Sequence, residues 1–324
     1  MPDFRGALNA ALVGEMERDD KVVVLGEDVA VAGGVFKVTE GLVERFGPER
    51  VLDTPISELA LAGAAFGGAA AGIRPIVEVM FGDFMPLLMD SLINQAAKYW
   101  FISEERHSIP LVFRSAVGAG GRFGPIHSQS PGTLLHNVPG IKVICPATPA
   151  AAESLLRAAI RDPNPVVFLE HKRLYTLKED YEPAAAAEPG RLGQAIVRRE
   201  GTDVTLVSIM KGVHDALEAA DRLAERGVSA EVVDLQSLRP LDVDTVAASL
   251  AKTNRLVAIE EGPRTGGWAM GLLGALAATS LDEIEDVWAL NTIDGPVPFS
   301  PPLEDADLPG ADRIVESVAE RVAA

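Results

Sequence analysis

The stretch Leu52-Asp53-Thr54-Pro55-Ile56-Ser57-Glu58 decides the fold, because it reads as the end of a strand, a tight turn and the start of a helix. Ser57 is a candidate N-cap, and the uncharged run 59–72 that follows predicts a buried helix. In a parallel sheet, ligands bind at the carboxyl ends of the strands, where Glu58 stands. Two interpretations stay open: Glu58 is a catalytic carboxylate, or it is a first-turn acid that the helix dipole favours.

Glycines recur at four-residue spacing in the same predicted helix, as Gly63 with Gly67 and Gly68 with Gly72. This spacing lets another backbone approach closely. A tight helix crossing within the chain and a subunit interface explain it equally well.

Outward from this stretch, short β-branched runs alternate with helical stretches up to about residue 170, which is typical of a parallel sheet with crossover helices. The predicted strands are 21–25, 50–53, 75–80, 110–114, 141–145 and 166–170. The predicted helices are 4–18, 37–46, 57–72, 83–100 and 149–161, the last with Thr148 as N-cap and Pro149 in its first turn.

The segment 178–190, KEDYEPAAAAEPG, predicts a linker, and a second α/β pattern follows it. Its predicted strands are 203–209, 229–234, 255–260 and 286–290, and its predicted helices are 212–226, 242–252, 268–279 and 311–323. We therefore expect an α/β protein with two doubly wound domains, over 1–180 and 191–324, joined by a linker over 181–190.

The charge balance excludes some classes of function. The chain has 324 residues with 29 Lys+Arg and 47 Asp+Glu, a net charge of −18, which disfavours nucleic acid and anionic membrane as partners. The single cysteine, Cys145, cannot form an internal disulfide, and no Cys/His spacing suits zinc. The first residues lack a basic region followed by an apolar core, so we expect a cytoplasmic protein.

A second candidate site is the glycine-rich stretch Gly118-Ala119-Gly120-Gly121-Arg122-Phe123-Gly124-Pro125-Ile126-His127-Ser128-Gln129-Ser130. It lacks the glycine spacing and the Lys-Ser/Thr of nucleotide-binding loops. A loop that delivers His127, with Ser128 and Gln129, to a cleft is one interpretation, and an ordinary surface-loop histidine is the other.

Taken together, the motifs resemble one family over essentially the whole chain: the beta subunits of the thiamine diphosphate-dependent, decarboxylating first components of 2-oxoacid dehydrogenase complexes. The matching stretches are 53–58 (DTPISE), 94–99 (NQAAKY), 127–130 (HSQS), 139–143 (PGIKV), 159–167 (AIRDPNPVV), 261–262 (EG) and 265–268 (TGGW).

The resemblance implies a transketolase-like pyrimidine-binding domain followed by a transketolase C-terminal domain. It implies an alpha2-beta2 heterotetramer in which the alpha subunit supplies the diphosphate and magnesium site, whose Gly-Asp-Gly motif does not occur here. It also implies oxidative decarboxylation of a 2-oxoacid, of the pyruvate type, and acyl transfer to lipoyl-lysine on an acyltransferase core. The alternatives are the beta subunit of an acetoin dehydrogenase, a stand-alone transketolase-like fragment, and a non-catalytic α/β scaffold.

By the same resemblance, Glu58 is the acid that drives the aminopyrimidine of thiamine diphosphate to its imino form. Met80 and Phe84 match positions that pack on that ring, although core packing explains both equally. His127 matches a histidine near the reacting carbon, supported by Ser128 and Gln129. The resemblance extends to a potassium ion, at positions that match Leu111, Ala159, Ile160, Asp162 and Asn164. For the last two, the turn chemistry of an Asp-Pro-Asn segment leaving a helix is a sufficient alternative explanation.

Overall fold

The computed structural model describes residues 1–181, 189–278 and 284–322, and the chain divides into two compact units. The first unit comprises Met1–Val117 and Asn137–Leu192, and the second comprises Gly118–His136 and Gly193–Ala324. The segment that interrupts the first unit is the glycine-rich stretch that carries His127. This loop therefore folds with the second half of the chain, which its place in the sequence does not suggest.

The strands are β1 (Val22–Gly26), β2 (Val51–Asp53), β3 (Arg74–Val79), β4 (Val112–Val117), β5 (Lys142–Ile144), β6 (Val166–His171), β7 (Ile196–Arg199), β8 (Val204–Ser208), β9 (Ala230–Asp234), β10 (Ser237–Arg239), β11 (Arg255–Pro263) and β12 (Asp286–Thr292). The helices are α1 (Phe4–Arg18), α2 (Leu42–Phe46), α3 (Glu58–Ala70), α4 (Met85–Met89), α5 (Ala97–Ile102), α6 (Gly132–Leu135), α7 (Pro149–Arg161), α8 (Met210–Ala224), α9 (Val243–Thr253), α10 (Trp268–Ala277), α11 (Pro301–Asp307) and α12 (Ala311–Val322). Short 3-10 turns cover Gly82–Phe84 and Lys172–Leu174, and a π-helix covers Asp90–Ala96.

The first unit is built on a parallel sheet in which the strands lie in the order β5-β6-β4-β3-β1-β2. Every residue of β4 and β6 is buried, as expected for strands covered by helices on both faces. Helix α7 starts as predicted, with the Thr148 side chain accepting from the N–H of Ala151 and Pro149 in the first turn. The predicted parallel α/β architecture is confirmed.

A buried ion cluster crosses three adjacent strands of this sheet. Arg114 on β4 donates Nε and Nη2 to the two carboxyl oxygens of Glu170 on β6, both at 2.8 Å, and Nη1 to Glu78 on β3 at 2.9 Å. Tyr175 donates its hydroxyl to Glu170 at 2.9 Å. Burial raises the pKa of the Glu170 carboxyl, although the Arg114 charge opposes that rise. The cluster ties β3, β4 and β6 together by charge as well as by backbone pairing.

The second unit contains a sheet in the order β12-β11-β8-β9-β7, in which all pairs are parallel except β7 with β9. The predicted two-domain α/β class is confirmed. The sequence prediction missed the edge strand β7, because Ile196–Arg199 reads IVRR, too short and polar to stand out as a strand. It also missed β10 and the short helices α6 and α11.

Two predicted helices are shorter or more broken than expected. Of the helix predicted over 37–46 only α2 forms, because Lys37 (φ 63°) and Gly41 (φ 79°) take left-handed backbone conformations. The helix predicted over 83–100 is interrupted by the π-helix Asp90–Ala96, where the Asp90 carboxylate accepts from the side-chain amides four and five residues further on, at 2.9 and 3.0 Å.

Helix α3 differs from its prediction in two respects. Ser57 is the N-cap residue, yet its side chain makes no capping hydrogen bond. The helix is also not buried all round in this chain, since one face is exposed. The exposed residues on this face are Leu59, Ala60, Ala64, Gly67 and Ala70.

Most of the predicted linker, residues 182–188, lies outside the described residues, as do residues 279 and 323 at the ends of two predicted helices. Among the described helices, none has the length and apolar character needed to span a membrane.

Candidate functional site

The candidate site begins at the carboxyl edge of three adjacent strands. Gly26, the last residue of β1, lies in register between Asp53 of β2 and Glu78 of β3. Because these strands are parallel, the segments that leave them emerge at the same edge of the sheet. Glu27 follows β1 directly, and Met80 follows β3 directly. The fold therefore gathers at one edge side chains that are up to 53 residues apart in the sequence.

Glu58 reaches this edge through the turn after β2. The N–H of Thr54 donates to the Gly26 carbonyl at 2.9 Å, and the Asp53 carboxylate accepts from the N–H of Ala30 at 2.7 Å. These bonds fix the path of the turn, and α3 starts at Glu58. The Glu58 residue is 8% exposed, far less than expected for a first-turn acid that only complements the helix dipole.

Glu27 is a second acid at this edge that sequence reasoning missed. Burial raises the pKa of its carboxyl, and the neighbouring Glu58 and Asp28 raise it further, against a hydrogen bond from the backbone of Ser57. The signal that could have found it is its position, since it is the first residue after a buried strand of the parallel sheet. Two acids thus interact electrostatically at this edge, where the sequence indicated one.

Two buried polar atoms at this edge lack a hydrogen-bond partner among the described residues: Oε1 of Glu27 and Oγ1 of Thr54. Buried polar groups are nearly always paired in folded proteins, so unpaired ones call for an explanation. Their position near the buried carboxyl of Glu58 fits a site for a heteroaromatic ring that both donates and accepts hydrogen bonds. The aminopyrimidine of thiamine diphosphate is such a ring.

Met80 and Phe84 lie at the same edge, after the end of β3. Both are half-buried, and Phe84 ends the 3-10 turn that follows the strand. The rings of Phe81 and Phe84 meet edge to face with centroids 6.2 Å apart, which orients Phe84. Met80 and Phe84 thus follow β3 at the same edge of the sheet from which the turn leads to Glu58.

His127 lies on the loop of the second unit. It is half-buried, and its backbone N–H donates to the Gly124 carbonyl at 3.4 Å. Ser128 is 2% exposed, and its Oγ has no hydrogen-bond partner among the described residues. Gln129 is exposed, and its backbone carbonyl accepts from the backbone N–H of Gly118 at 3.2 Å. The three predicted loop residues are consecutive in one compact segment, with a buried hydroxyl beside the histidine.

The residues matched to a potassium site surround the turn between α7 and β6. They are Leu111, Ala159, Ile160, Asp162 and Asn164. Two cationic side chains of the chain itself reach this turn: Arg74 Nη1 donates to the Ile160 carbonyl at 3.0 Å, and Lys142 Nζ pairs with the Asp162 carboxylate at 2.9 Å. A carbonyl oxygen has two lone pairs, so these oxygens retain capacity for a further cation. Among the described residues, no cluster of three or more His, Cys, Asp or Glu side chains could hold a metal ion.

Comparison with known proteins agrees with this architecture. Residues 1–178 match the transketolase pyrimidine-binding domain family, and residues 193–314 match the transketolase C-terminal domain family. A split-gene transketolase, in an inactive beta4 tetramer, has the same fold with a TM-score of 0.81 at 24% identity, covering 99% of this chain and 98% of that chain.

Relatives that align with nearly the whole chain are named as subunits of oxidoreductases. The beta subunit of acetoin:2,6-dichlorophenolindophenol oxidoreductase from Bacillus subtilis (strain 168) is 42% identical over 327 residues, 97% of this chain and 95% of that protein. The beta subunit of the pyruvate dehydrogenase E1 component from Rickettsia felis is 41% identical over 315 residues, 97% of this chain and 96% of that protein. Because the two identities are nearly equal, acetoin is not favoured as the substrate. The chain belongs to the transketolase-like family of beta subunits of 2-oxoacid dehydrogenase first components.

Proposed function

We propose that this beta subunit takes part in the thiamine diphosphate-dependent oxidative decarboxylation of a pyruvate-type 2-oxoacid and in transfer of the acyl group to lipoyl-lysine on an acyltransferase. The observation that carries the proposal is the buried Glu58 carboxyl at an edge where Glu27 Oε1 and Thr54 Oγ1 lack partners. An acid shielded from water in this way is suited to hold or move a proton on a bound nitrogen heterocycle.

Thiamine diphosphate, when bound, supplies a carbon nucleophile and an electron sink. Glu58 would hydrogen-bond the ring nitrogen of its aminopyrimidine and hold the proton there. Burial and the neighbouring Glu58 raise the pKa of the Glu27 carboxyl, so Glu27 can keep a proton beside Glu58 that an isolated surface acid would lose. Met80 and Phe84 would pack on the ring faces and exclude water.

His127 would orient the substrate carboxylate and assist acyl transfer to lipoyl-lysine. A histidine suits this task because its two ring nitrogens can donate and accept hydrogen bonds. The buried Oγ of Ser128 supports the proposal, since its missing partner leaves a donor available beside the histidine. Gln129 would help to hold the loop, because its backbone carbonyl already accepts a hydrogen bond from the N–H of Gly118.

Substitution of Glu58 tests the central assignment. With the alpha subunit present, we expect Glu58→Gln to lower decarboxylation, measured with an artificial electron acceptor, by about 10²-fold to 10⁴-fold while assembly is kept. Glu44→Gln is the matched control, because Glu44 is an exposed first-turn acid of α2 in the same unit. If Glu58→Gln kept activity near that of Glu44→Gln, the helix-dipole interpretation would stand instead.

The diphosphate and magnesium are assigned to the alpha subunit. Isothermal titration should show tight, magnesium-dependent binding of thiamine diphosphate to the alpha-beta pair and weak or no binding to this chain alone. Equally tight binding to this chain without its partner would refute the shared site.

The exposed face of α3 supports a partner subunit in this place. It consists of Leu59, Ala60, Ala64, Gly67 and Ala70, and no side-chain or backbone atom would contact a Cβ added at Gly67. Small residues on an apolar face allow close backbone approach. We assign this face to the alpha subunit of an alpha2-beta2 heterotetramer, because the face begins at the residue after Glu58.

Ala64→Leu tests this face. Overpacking a close interface costs about 1–3 kcal/mol, so we expect the affinity for the alpha subunit to fall about tenfold or more while this chain folds normally. Ala248→Leu on α9 is the control, because Ala248 is also exposed but lies between Asp244 and Lys252 on a charged face. Unchanged assembly of Ala64→Leu would exclude this face from the interface.

The substrate and the acyltransferase are tested separately. A panel of pyruvate, branched-chain 2-oxoacids and acetoin on the reconstituted pair should give its highest kcat/KM with pyruvate.

The net charge of −18 favours a basic docking domain on the acyltransferase, so complex formation should weaken as salt is added. Salt-independent binding would exclude electrostatic docking.

Potassium at the α7 to β6 turn is part of the proposal. Bound ligand raises the free energy of unfolding, so the melting temperature should be higher in KCl than in choline chloride at equal ionic strength.

We also propose a cytoplasmic location, which fractionation of the source cells would test.

A further inference from the structure

The loop that carries His127 is fixed to the second unit by carboxylates at its first residues. The N–H of Ala119 donates to Glu261 Oε1 at 2.6 Å, and the N–H of Gly120 donates to Glu304 Oε1 at 2.7 Å. Glu261 lies on β11 and Glu304 on α11. Hydrogen bonds to an ionised acceptor are stronger than neutral ones, so two consecutive backbone groups are held from two separate elements.

The Arg122 side chain adds further bonds between the loop and α11. Its Nη1 donates to Glu304 Oε2 at 2.7 Å, and its Nη2 donates to both oxygens of Asp305 at 2.8 Å. The Pro301 carbonyl accepts a further bond at 3.1 Å. Glu304 is fully buried, so its charge needs the partners that the loop supplies. Arginine alone among side chains offers this planar fork of donors.

The backbone at Arg122 is strained to make these contacts. Its φ of 65° lies in the left-handed region, which residues with a Cβ rarely occupy. Such conformations persist only where surrounding contacts hold them, and they cluster at functional sites. The side-chain bonds to α11 are therefore what keeps this conformation in place.

The far end of the loop is anchored in the same unit. Thr133 Oγ1 donates to Glu260 Oε1 at 3.1 Å, and Ser130 Oγ donates to Glu261 Oε1 at 3.4 Å. Glu260 in turn accepts the first N–H groups of α10, from Trp268 and Ala269, both at 3.0 Å. His127 therefore lies on a short segment whose two ends are bound to acids of the second unit.

We infer that Arg122, Glu261 and Glu304 form a carboxylate latch that positions the His127 loop for catalysis. Opening the latch would leave His127 in place only for a fraction of the time, and turnover would fall to that fraction of its normal value. Because Met80, Phe84 and Glu58 lie in the first unit, cofactor binding would not change. The inference rests on the proposed role of His127, and its test includes one measurement that does not.

The latch is tested in the alpha-beta complex with Arg122→Ala, Arg122→Gly and Arg122→Lys. Arg321→Ala is the matched control, because Arg321 is a half-exposed arginine of the same unit that binds both oxygens of Asp286. We expect hydrogen exchange of the amides in 118–130 to accelerate roughly tenfold in Arg122→Ala and not in the control. We expect kcat to fall about tenfold with the Kd of thiamine diphosphate unchanged.

The other two variants separate the loss of the Arg122 side-chain bonds from the effect of backbone strain at this position. Arg122→Gly removes the strain together with the side chain, so the latch predicts that it is as impaired as Arg122→Ala. Arg122→Lys keeps one charged donor and should recover part of kcat. Full activity in Arg122→Gly, unaltered loop exchange in Arg122→Ala, or faster exchange without loss of kcat would each overturn the latch. Full activity of His127→Gln would instead overturn the proposed role of the histidine, while the exchange measurement would still report on the loop.

Discussion

Removal of the Arg114 guanidinium is the perturbation whose effect the structure defines most closely. Arg114 is 1% exposed and makes three charged hydrogen bonds, at 2.8, 2.8 and 2.9 Å, to Glu170 and Glu78. Arg114→Met keeps the length and most of the volume of the side chain but leaves two carboxylates in the sheet without their cation. The loss is therefore one of charge pairing, with little change in packing.

The magnitude follows from the cost of an uncompensated buried charge. Removing one partner of a buried ion pair lowers the free energy of unfolding by about 3–5 kcal/mol. For a unit of this size, that corresponds to a decrease in melting temperature of roughly 10 °C. Arg45→Met is the control, because Arg45 pairs with Glu17 on the exposed surface of the same unit and should cost less than about 1 kcal/mol.

The loss of unfolding free energy in Arg114→Met should depend on pH, and the direction follows from the pKa of Glu170. Burial already raises the pKa of Glu170, and loss of Arg114 removes the charge that opposes this rise. An acid whose pKa is raised on folding contributes stability at low pH that is lost as pH rises through its folded pKa. The defect of Arg114→Met should therefore be smaller at about pH 5 than at about pH 8. Neutralising one acid as well, in Arg114→Met with Glu170→Gln, should recover about 1–2 kcal/mol.

Calorimetry of the purified chain across this pH range measures both quantities, and urea unfolding gives an independent free energy. A loss below about 1 kcal/mol at neutral pH would show that the cluster is dispensable for stability. A loss of the same size at every pH would show that the two carboxylates do not carry the effect.

Further expectations concern single residues. Burial and Glu58 raise the pKa of Glu27, so its ionisation lowers the free energy of unfolding as pH rises through that pKa. In urea unfolding, Glu27→Gln should therefore be more stable than wild type by on the order of 1 kcal/mol at neutral pH, and this difference should disappear near pH ~4. Gly140 has φ 92°, and a Cβ there would lie 1.9 Å from the Ala97 carbonyl oxygen, so Gly140→Ala should lose at least about 2 kcal/mol by calorimetry. Gly274→Ala, inside α10 with open space around it, should instead gain about 0.5–1 kcal/mol, and a loss there would contradict the helix-propensity argument.

Local sequence patterns were sufficient to predict much of the architecture. Alternating β-branched runs and amphipathic stretches predicted the parallel sheet of the first unit, because each strand and each helix carries its own periodicity. The stretch around Glu58 likewise showed a strand end, a turn and a helix start within seven residues. The bounds of α1 and α7, which have capping residues at their starts, agree with the structure at both ends.

Contacts between distant residues could not be read in this way. Glu27 stands 31 positions before Glu58, and only the pairing of β1 with β2 makes them neighbours. Arg122 and Glu304 are 182 residues apart, and no periodicity links them. The loop 118–136 belongs to the second unit because its donors meet acids of β11 and α11, a matter of where the chain returns after folding.

The sequence by itself determined the fold class, the family and the acid at the start of α3, since these depend on local patterns and on motif order. Tertiary structure alone decided that two acids share the carboxyl edge, that one face of α3 stays exposed, and which unit holds His127. The physical reason is that propensity and capping act within a few residues, whereas burial and ion pairing act between whichever residues the finished chain brings within a few ångströms.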